Sequence, residues 1–452
     1  MTPVNNDRDT GSPYRSLSFW HETVPGSLQP RPAPESDIEV DVAIIGAGYT
    51  GLWTAYYLKQ VDPRLNIAIF EAEIAGFGAS GRNGGWCAAY LSGIEHWLDQ
   101  PQTRDAAIHL QRLMFDAVKE VGRVSSRESI DCHFEQSGTL EVAVNKGQLR
   151  RLKAELDYFH GLGFGEEDYR WISGKEVANT LNVDQALAAI HMSHTAAIHP
   201  SRLARGLAGV LENMGVGIFE KSPVSDFGDR CLTIGTTRVK AETIIVATEG
   251  YSDSLREFKR RLIPVHSMMV VTEPLTDEQT GQINFNKRYT FGNLDHMVTY
   301  GQLTADHRIA FGCRGSYHYG SGIRQFDPAD PEFELVRKSL LNFFPSLEGI
   351  AFTHAWGGAM GVSRTLRPSV NYDPQTGVGW AGGFFGNGVG AANLAGRTLA
   401  DLVAGLDTDR LGTPWVNPRH MNRKWEPEPI RWLGYRATRL IKQLADRKEY
   451  LL

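Results

Sequence analysis

The chain has 452 residues, 42% of them hydrophobic and 22% charged, and its formal net charge is −5. This composition is typical of a globular protein and gives no indication of a nucleic-acid partner. Four widely separated cysteines, with no CxxC pair and no histidine at zinc spacing, predict neither a disulfide framework nor a metal site. The first 35 residues lack the apolar core of a signal peptide, and no stretch approaches the roughly 18 apolar residues of a membrane helix. We therefore expect a cytoplasmic protein without a membrane span.

The apolar periodicity changes along the chain. Residues 1–38 are polar and proline-rich, and they are predicted to form an irregular arm. Strands and helices then alternate, with strands expected at 39–45, 66–70, within 135–145, 216–219 and 243–247, and helices at about 50–59, 102–127, 146–161 and from His199, where Ser201 is the expected cap. From about 264 to 352 the pattern is strand-rich and lacks this alternation. A strand at 378–382 leads into a glycine-rich turn and a helix ending near Leu406.

A glycine-rich turn joins the first strand to the first helix, and it consists of Gly46, Ala47, Gly48, Tyr49, Thr50 and Gly51. The first glycine permits a tight turn, the second lets the backbone approach a pyrophosphate, and the third allows close helix–strand packing. The helix N-terminus offers free N–H groups to the phosphates. Glu71 ends the following strand, where a carboxylate can accept both ribose hydroxyls and would repel a 2′-phosphate. We therefore interpret the turn as a dinucleotide site rather than a packing feature.

Two further glycine-rich segments favour FAD over NAD. The second strand is followed at once by a loop at 76–85, which suits a backbone that passes along a ligand better than a flexible surface loop. A third segment opens the C-terminal helix, whose N-terminus would stabilise negative charge on a reduced flavin. Beyond the first turn and Glu71, the predicted cofactor residues are Ala72, Ala79, Ser80, Gly81, Arg82, Asn83, Gly84, Gly85, Val224, Ala247, Thr248, Gly383, Gly386, Asn387, Gly388 and Val389.

These patterns predict an α/β fold with a discontinuous, Rossmann-like FAD-binding domain and an inserted antiparallel-sheet α+β substrate domain. The FAD-binding domain is assigned to 39–110, 191–255 and 355–410, the substrate domain to 111–190 and 256–354, the arm to 1–38 and a basic helical extension to 411–452. Ligand pockets tend to lie where such domains meet. The substrate site is therefore expected in the cleft between them.

The motifs Gly46–Gly51, Glu71, Gly78–Gly85 and Gly383–Val389 together resemble the D-amino-acid-oxidase-like flavoproteins, over about residues 36–410. Within that family, the Gly78–Gly85 segment is most similar to that of gamma-glutamylputrescine oxidases. The resemblance implies FAD in an extended conformation and hydride transfer from an amine-bearing carbon to the flavin. It also implies hydrolysis of the resulting imine, with dioxygen taking the electrons and giving hydrogen peroxide.

Two departures from the family pattern bear on the substrate. Glycine oxidases have an arginine that grips the substrate carboxylate where this chain has Met360, and sarcosine oxidases have a lysine where it has Gly390. Both departures argue against a small α-amino acid as the substrate. Sarcosine oxidases also attach their flavin through a cysteine in the segment that matches 358–363, where this chain has none. We therefore expect non-covalent FAD.

Several side chains are candidates for the substrate side of the site. The predicted catalytic residues are His266, Tyr300, Arg314 and Trp356, with His318, Trp86, Arg364 and Arg367 as further candidates. Ordinary alternatives are an ion pair for Arg314, a buried hydrogen bond for His266, and packing for Trp86 and Trp356. Arg364 and Arg367 lie in a segment that is expected to pass over the flavin, where they could hold its pyrimidine edge or a substrate anion. A tryptophan pair could also wall the flavin and surround an amine.

The main hypothesis is an FAD-dependent oxidase of a primary or secondary amine, for example a polyamine conjugate. One alternative is a dehydrogenase that passes electrons to a quinone or a carrier protein, with the basic C-terminal helix as its docking surface. Another is a non-catalytic FAD-binding sensor or assembly protein. The basic helix at 431–447, with the apolar residues Trp432, Tyr435, Leu440 and Leu444, is interpreted either as a membrane-surface anchor or as a helix packed on the body.

Overall fold

The computed structural model describes residues 11–418 and 423–450. The helices in this part of the chain are α1 (Phe19–Thr23), α2 (Tyr49–Val61), α3 (Glu95–Leu98), α4 (Arg104–Arg127), α5 (Lys146–Gly161), α6 (Gly174–Thr180), α7 (Pro200–Asn213), α8 (Asp277–Gln282), α9 (Glu332–Phe343), α10 (Gly388–Ala404) and α11 (Ile430–Glu449). None of these helices is long and apolar enough to cross a membrane.

The strands are β1 (Ile38–Ile45), β2 (Ile67–Phe70), β3 (Trp86–Ala88), β4 (Thr139–Ala143), β5 (Tyr169–Ser173), β6 (Ala188–Met192), β7 (Thr195–Ala197), β8 (Gly217–Phe219), β9 (Val224–Gly228), β10 (Cys231–Ile234), β11 (Thr237–Val246), β12 (Leu262–Thr272), β13 (Thr290–Asn293), β14 (Thr299–Leu303), β15 (Ile309–Tyr317), β16 (Phe352–Ser363), β17 (Ser369–Asp373) and β18 (Val378–Gly382). They form two eight-stranded sheets and the short pair β3–β7.

The first large sheet carries the dinucleotide turn. Its order is β17-β18-β11-β1-β2-β8, with β10 paired to β11 and β9 to β10. The contacts of β1 with β2 and β11, of β2 with β8 and of β11 with β18 are parallel. The second half of β1 is buried on both faces: Val42 and Ile44 pack in the core cluster that includes α2 and α10, while Ala43 and Ile45 pack in a second apolar cluster. This is the predicted Rossmann-like domain.

The second large sheet forms the substrate domain. Its order is β16-β12-β15-β14-β13-β4-β6-β5, and every pairing is antiparallel except β13 with β4. One face packs on α9 through Phe333, Val336 and Leu340. The opposite face is turned toward the loop that follows β2. The mixed α/β architecture predicted from the sequence is therefore confirmed.

Four predicted domain boundaries fall inside α-helices or strands, and those at 38/39 and 190/191 divide β1 and β6. The boundary at 110/111 divides α4, and the boundary at 354/355 divides β16. Strand β16 pairs with β12 along nearly its whole length, so residues 355–363 belong to the sheet of the substrate domain. The apolar, glycine-rich sequence around Trp356 contains no break that would indicate where one sheet ends.

The N-terminal arm differs from the irregular segment that was predicted. Residues 19–23 form α1, and both Phe19 and Trp20 are buried. The Trp20 indole donates to the backbone oxygen of Asn83 at 2.8 Å. Further along, Arg31 makes a bidentate ion pair with Glu212 and a second pair, at 2.8 Å, with Glu220. Polar composition was therefore misleading, because a few aromatic and charged anchors hold the described part of the arm on the body.

The cap of α7 was also wrongly predicted. His199 is the N-cap and accepts from the Arg202 N–H through its Nδ1 at 3.3 Å, with Pro200 in the first helical turn. Ser201 lies inside the helix, and its hydroxyl donates to the Gly81 oxygen at 3.2 Å. The residue expected to cap the helix thus connects it to the second glycine-rich loop.

Helix α11 packs on the body through part of its apolar stripe. Trp432 and Tyr435 are half-buried against Ile263 and Val265 of β12. The other predicted members of the stripe, Leu440 and Leu444, are 56% and 52% exposed. The Asp446 carboxylate accepts two backbone N–H groups of the loop before β14, at 2.7 and 3.0 Å. This supports the interpretation of a packed terminal helix.

Candidate active site

The first glycine turn has the geometry that its motif predicts. Gly46 has φ +105°, and a Cβ there would lie 2.7 Å from the Ala247 oxygen, so only glycine fits. This close approach places Ala247 and Thr248, at the end of β11, directly beside the turn. The N–H groups at the start of α2 point to the same edge of the parallel sheet, where dinucleotides bind.

Glu71 lies next to this turn at the end of β2. Its Oε2 accepts from the Ala47 N–H at 2.8 Å, and its Oε1 accepts from the Glu73 N–H at 3.0 Å. Burial raises the pKa of Glu71 to about 7, although both backbone donors oppose the shift. The backbone carbonyl oxygen of Glu71 accepts from the Ser222 N–H at 2.8 Å, so the chain that leads to Val224 lies beside Glu71 and Ala72. A carboxylate held in this position suits a ribose diol.

The second glycine-rich loop is tied to the first turn. Ser80 Oγ accepts from the Tyr49 N–H at 2.9 Å, at the N-terminus of α2. Asn83 is a structural member of the loop, because its amide donates to the Ala79 and Ser80 oxygens at 3.1 Å and accepts from Gly85 at 2.8 Å. Within the described residues, the buried Arg82 Nη2 has no hydrogen-bond partner, while Nε donates to the Phe77 oxygen at 2.8 Å. A buried donor of this kind fits an oxygen of a bound dinucleotide.

The third glycine-rich segment is anchored by a residue that sequence patterns did not reveal. The buried carboxylate of Glu249 accepts the N–H groups of Gly383 and Phe384, at 2.9 and 3.1 Å. Beyond this anchor, Asn387 donates to Ser92 Oγ at 2.9 Å. A Cβ at Gly390 would lie 2.6 Å from the Ala88 oxygen, so α10 begins against the end of β3. The turn that includes Gly386, Gly388 and Val389 therefore meets the second loop and the substrate domain.

One face of the substrate sheet is turned toward the second loop. In the strand register, Glu141 lies opposite Gly292, and Tyr300 lies opposite Gly312. The register of β13 with β14, continued by one residue, places Gly292 beside Tyr300. Residues of one cross-strand row point to the same face. The row across the sheet is Glu141, Gly292, Tyr300, Gly312, Met269 and Trp356.

Tyr300 occupies the centre of this row. A Cβ at Gly84 would lie 2.6 Å from the Tyr300 ring. The rings of Trp86 and Tyr300 pack edge to face, with 6.0 Å between their centres. The Tyr300 hydroxyl is hydrogen-bonded to Ser267 Oγ, and burial raises its pKa. Trp356 is buried further along the row and donates to the Arg82 oxygen at 2.9 Å. The structure therefore brings Tyr300 and Trp86 together at the second glycine-rich loop. Trp356 holds the backbone of the same loop through its hydrogen bond to Arg82.

Arg314 lies at the junction of the substrate sheet and the C-terminal turn. Its guanidinium stacks over the Phe385 ring, with 4.2 Å from Cζ to the ring centre, and Nη2 is 3.5 Å from the Phe385 oxygen. Burial lowers the pKa of Arg314, and the neighbouring Tyr90, Tyr300 and Tyr435 oppose the shift. Among the described residues no carboxylate forms an ion pair with it, unlike the surface ion pair expected as its alternative.

His266 lies on the opposite face of the substrate sheet, which corrects its predicted place in the cleft. Its Nε2 accepts from the Arg324 N–H at 3.1 Å, and its ring contacts His318 and Phe326. Side chains alternate along β12, and the neighbouring Ser267 faces Tyr300. His318 shares the location of His266, so neither imidazole reaches the face that carries Tyr300.

The side chains of two other arginine candidates have partners away from Tyr300. Arg364 is 41% exposed in its side chain and pairs with Glu426 at 2.9 Å. The Arg367 guanidinium packs over Trp97 at 5.5 Å. Met360, by contrast, is buried with Ile263 and Val265, and its Sδ lies 3.4 Å from a Cβ built at Gly386. The position of the family's carboxylate-binding arginine is therefore apolar here.

A group of carboxylates near the same face of the sheet was not predicted from the sequence. The Tyr90 hydroxyl donates to Glu95 Oε1 at 2.9 Å. Burial raises the pKa of Tyr90, and the charges of Glu95, Glu155 and Glu141 raise it further. The one sequence signal was at Glu155, which falls between the buried Leu152 and Phe159 at helical spacing. Glu141 alternates with Leu140 and Val142, as a solvent-facing residue of a strand would.

A dinucleotide turn, two further glycine segments and an inserted substrate sheet define a flavin-dependent oxidoreductase. A model of the family described as DAO, FAD dependent oxidoreductase, matches residues 41–402, and the chain belongs to this family. It is 29% identical over 378 residues to gamma-glutamylputrescine oxidoreductase of Escherichia coli (strain K12), which covers 82% of this chain and 85% of the relative.

Two more comparisons agree. The chain is 25% identical to sarcosine oxidase subunit beta of Rhodobacter capsulatus, over 82% of this chain and 88% of that protein. Its fold is similar to the crystal structure of glycine oxidase from Geobacillus kaustophilus, with a TM-score of 0.71 at 20% identity, over 85% of this chain and 99% of that one. The predicted family resemblance is confirmed, and the protein is an FAD-dependent oxidoreductase.

Proposed function

We propose that this protein oxidises a primary or secondary amine at the carbon beside the nitrogen, with non-covalent FAD and dioxygen, in the cytoplasm. The observation that carries the proposal is the position of Arg314, which joins the flavin-side turn at Phe385 to the substrate face at Tyr300. Relatives named for oxidation of an amine conjugate and of sarcosine support the reaction class. A polyamine conjugate such as gamma-glutamylputrescine is the proposed type of substrate.

FAD, when bound, accepts a hydride from the carbon next to the nitrogen and passes two electrons to dioxygen, which gives hydrogen peroxide. The substrate becomes an imine, and water converts it to a carbonyl compound and the free amine or ammonia. The reacting amine must be neutral for this step. A buried positive charge nearby disfavours a protonated amine, so Arg314 favours the reactive form of the substrate. Tyr300 and Trp86 form the wall against which the alkyl part of the substrate packs.

The cysteines of the site support non-covalent attachment. Cys313, on β15 next to Arg314, belongs to the apolar core on the opposite face of the sheet, and burial raises its pKa to about 12. Burial also raises the pKa of Cys87, which follows Trp86. A covalent link requires a thiolate at the flavin edge, and both thiols are held neutral inside apolar clusters.

The test is an anaerobic screen in which the purified yellow protein is mixed with amines, N-methyl amino acids and polyamine conjugates. Bleaching of the flavin by at least one alkylamine is expected, followed in air by rapid recovery of the colour with one equivalent of peroxide. Flavin that no member of the panel bleaches contradicts the proposal and favours a non-catalytic FAD-binding protein. Flavin that remains with acid-precipitated protein contradicts the non-covalent part.

A dehydrogenase is the second candidate because α11 exposes a suitable surface. Its outer side carries Leu433, Leu440 and Ile441, which are 55%, 56% and 66% exposed, beside the basic residues Arg436 and Arg447. Such a surface could receive an electron-carrier protein or a quinone-bearing membrane. Under this alternative the bleached flavin would recover slowly in air and rapidly with a soluble quinone, so the same stopped-flow experiment separates the two functions.

A further inference from the structure

The substrate face of the sheet has one anionic and one cationic end. Glu141 faces the same side as Tyr300, two strands away, which is about 10 Å between backbones. The residue between them is Gly292, and the indole of Trp86 lies over it, 3.7 Å from a Cβ built there, so Trp86 and Tyr300 form one aromatic wall next to Glu141. Arg314 lies beyond Tyr300, and Lys442 of α11 is its cationic neighbour. The aromatic side chains of Trp86 and Tyr300 therefore lie between the two ends.

The anionic end is built by elements from three parts of the chain. Glu141 comes from β4, Glu155 from the buried side of α5, and Glu95 from α3. The carboxylate of Glu95 accepts a hydrogen bond from the Tyr90 hydroxyl. Neither Glu141 nor Glu155 has a hydrogen-bond or ion-pair partner among residues 11–418 and 423–450. Both residues are half-buried and are not sealed in the core.

A pair of carboxylates without a cation is unusual in a protein interior. Burial raises the pKa of Glu155 well above its ordinary value, and Glu141 and Glu95 raise it further. Burying an anion without a partner is costly, and the cost is removed when a cation binds between the carboxylates. A packing role would be met better by leucine, because Glu155 lies between Leu152 and Phe159 on the buried side of α5.

We propose that Glu141 and Glu155 bind a second ammonium group of the substrate, so that the enzyme acts on amines that carry another cationic nitrogen several bonds from the reacting one. This rests on the proposed function and names the substrate class of that site. The charge asymmetry also sets the direction of binding. The remote ammonium goes to the acidic end, and the nitrogen near Arg314 is the one that loses its proton and is oxidised.

The experiment compares 1,5-diaminopentane with n-pentylamine, which differ only in the second amine. In the wild-type holoenzyme, the diamine is expected to bleach the flavin anaerobically with a half-saturating concentration at least about a hundredfold lower. Glu141→Gln and Glu155→Gln should each reduce this preference by about tenfold or more, through the half-saturating concentration and not the limiting rate. Asp157→Asn is the matched control, because Asp157 is an exposed carboxylate on the same helix, and it should keep the full preference.

Two results would overturn the proposal. One is an equal response of the wild-type enzyme to the monoamine and the diamine; the other is a parallel loss of both substrates in the Gln variants, which indicates a structural role. FAD content and the thermal unfolding midpoint of each variant separate folding defects from binding. If no amine bleaches the flavin, the proposed function fails, and equilibrium dialysis then decides this inference. Binding of the diamine by the wild-type protein and its loss in Glu141→Gln would support the inference. Equal binding of the diamine and the monoamine by the wild-type protein would contradict it.

Discussion

Glu249 accepts the backbone N–H of Gly383 at 2.9 Å and thereby fixes the turn that begins α10. The carboxylate lies against two other glycines, because a Cβ at Gly361 would be 3.0 Å from its Oε1, and a Cβ at Gly382 would also collide with it. Glu249 therefore couples the end of β11 to β16 and β18 at the domain junction. We regard it as a positioning residue, because its contacts are with backbone groups.

The first prediction concerns this anchor. Glu249→Gln keeps the size of the side chain, but replaces one acceptor oxygen by an amide donor that faces the N–H of Gly383 or Phe384. Loss of a charge-assisted hydrogen bond costs about 1.5–3 kcal/mol, so FAD affinity should fall roughly tenfold to a hundredfold. Fluorescence titration of the apoprotein with FAD measures this. Glu257→Gln, at an exposed site nearby, should bind FAD normally. Unchanged affinity in Glu249→Gln would mean that the turn is held by other contacts.

The second prediction concerns the adenosine end. Glu71→Ala removes the acceptor next to the first glycine turn and leaves the Ala47 N–H without its side-chain partner. The loss of FAD affinity should be on the order of 1.5–3 kcal/mol. Retention of FAD after dilution and gel filtration, measured by absorbance, checks the expectation. Retention equal to the wild type would show that the ribose binds elsewhere.

The glycine motifs and Glu71 could be predicted because local backbone demands determine them. A tight turn beside a phosphate requires glycine whatever the tertiary structure of the rest of the chain. The acidic residue, Glu71, follows at the end of the next strand. Glu249 carries no such pattern, because its partners are backbone groups more than a hundred residues away.

The substrate side was less predictable because strand faces are assigned by tertiary packing. The segment from Leu262 to Thr272 is apolar on both faces, so its alternation could not show that His266 and Ser267 point to opposite sides. Glu141 reads as a solvent-facing residue of an alternating strand, yet the structure places its face inside the molecule. A carboxylate on the buried side of a helix, as at Glu155, was the one available signal.

The third prediction is a pH dependence of stability. Burial raises the pKa of Glu141 from 4.5 to about 7, so the folded state holds its proton more tightly than the unfolded state. The stability associated with this proton is complete below about pH 4.5 and is lost as the pH rises through about 7. Glu141→Gln has no such loss. Its thermal midpoint, relative to that of the wild-type holoenzyme, should therefore rise by a few degrees between about pH 5 and pH 8. For the control Asp157→Asn, the difference in thermal midpoint from the wild type should stay constant over this pH range. A constant difference for Glu141→Gln would contradict the prediction and indicate a solvated carboxyl group.

The last prediction concerns small α-amino acids and rests on Met360. Such substrates present a carboxylate beside the reacting carbon, and burying it without a cation is costly. Met360 is packed among Ile263 and Val265, and Arg364 is occupied by Glu426. Glycine, sarcosine and D-alanine should therefore be oxidised with kcat/KM at least about a hundredfold below that of a terminal amine on a long diamine. Oxygen-electrode kinetics over this series measure the ratio.

A Met360→Arg variant sharpens this test, because it places a guanidinium where the glycine oxidases have one. It should raise kcat/KM for sarcosine relative to the diamine by about tenfold or more, mainly through KM. Met360→Leu is the matched control and should leave the ratio near that of the wild type, since it preserves the apolar contact with Gly386. Comparable wild-type efficiency for sarcosine and the diamine would contradict the prediction. The carboxylate would then have to be bound by another cation, and Arg314, which stacks on Phe385, and Arg82 are the residues to substitute next.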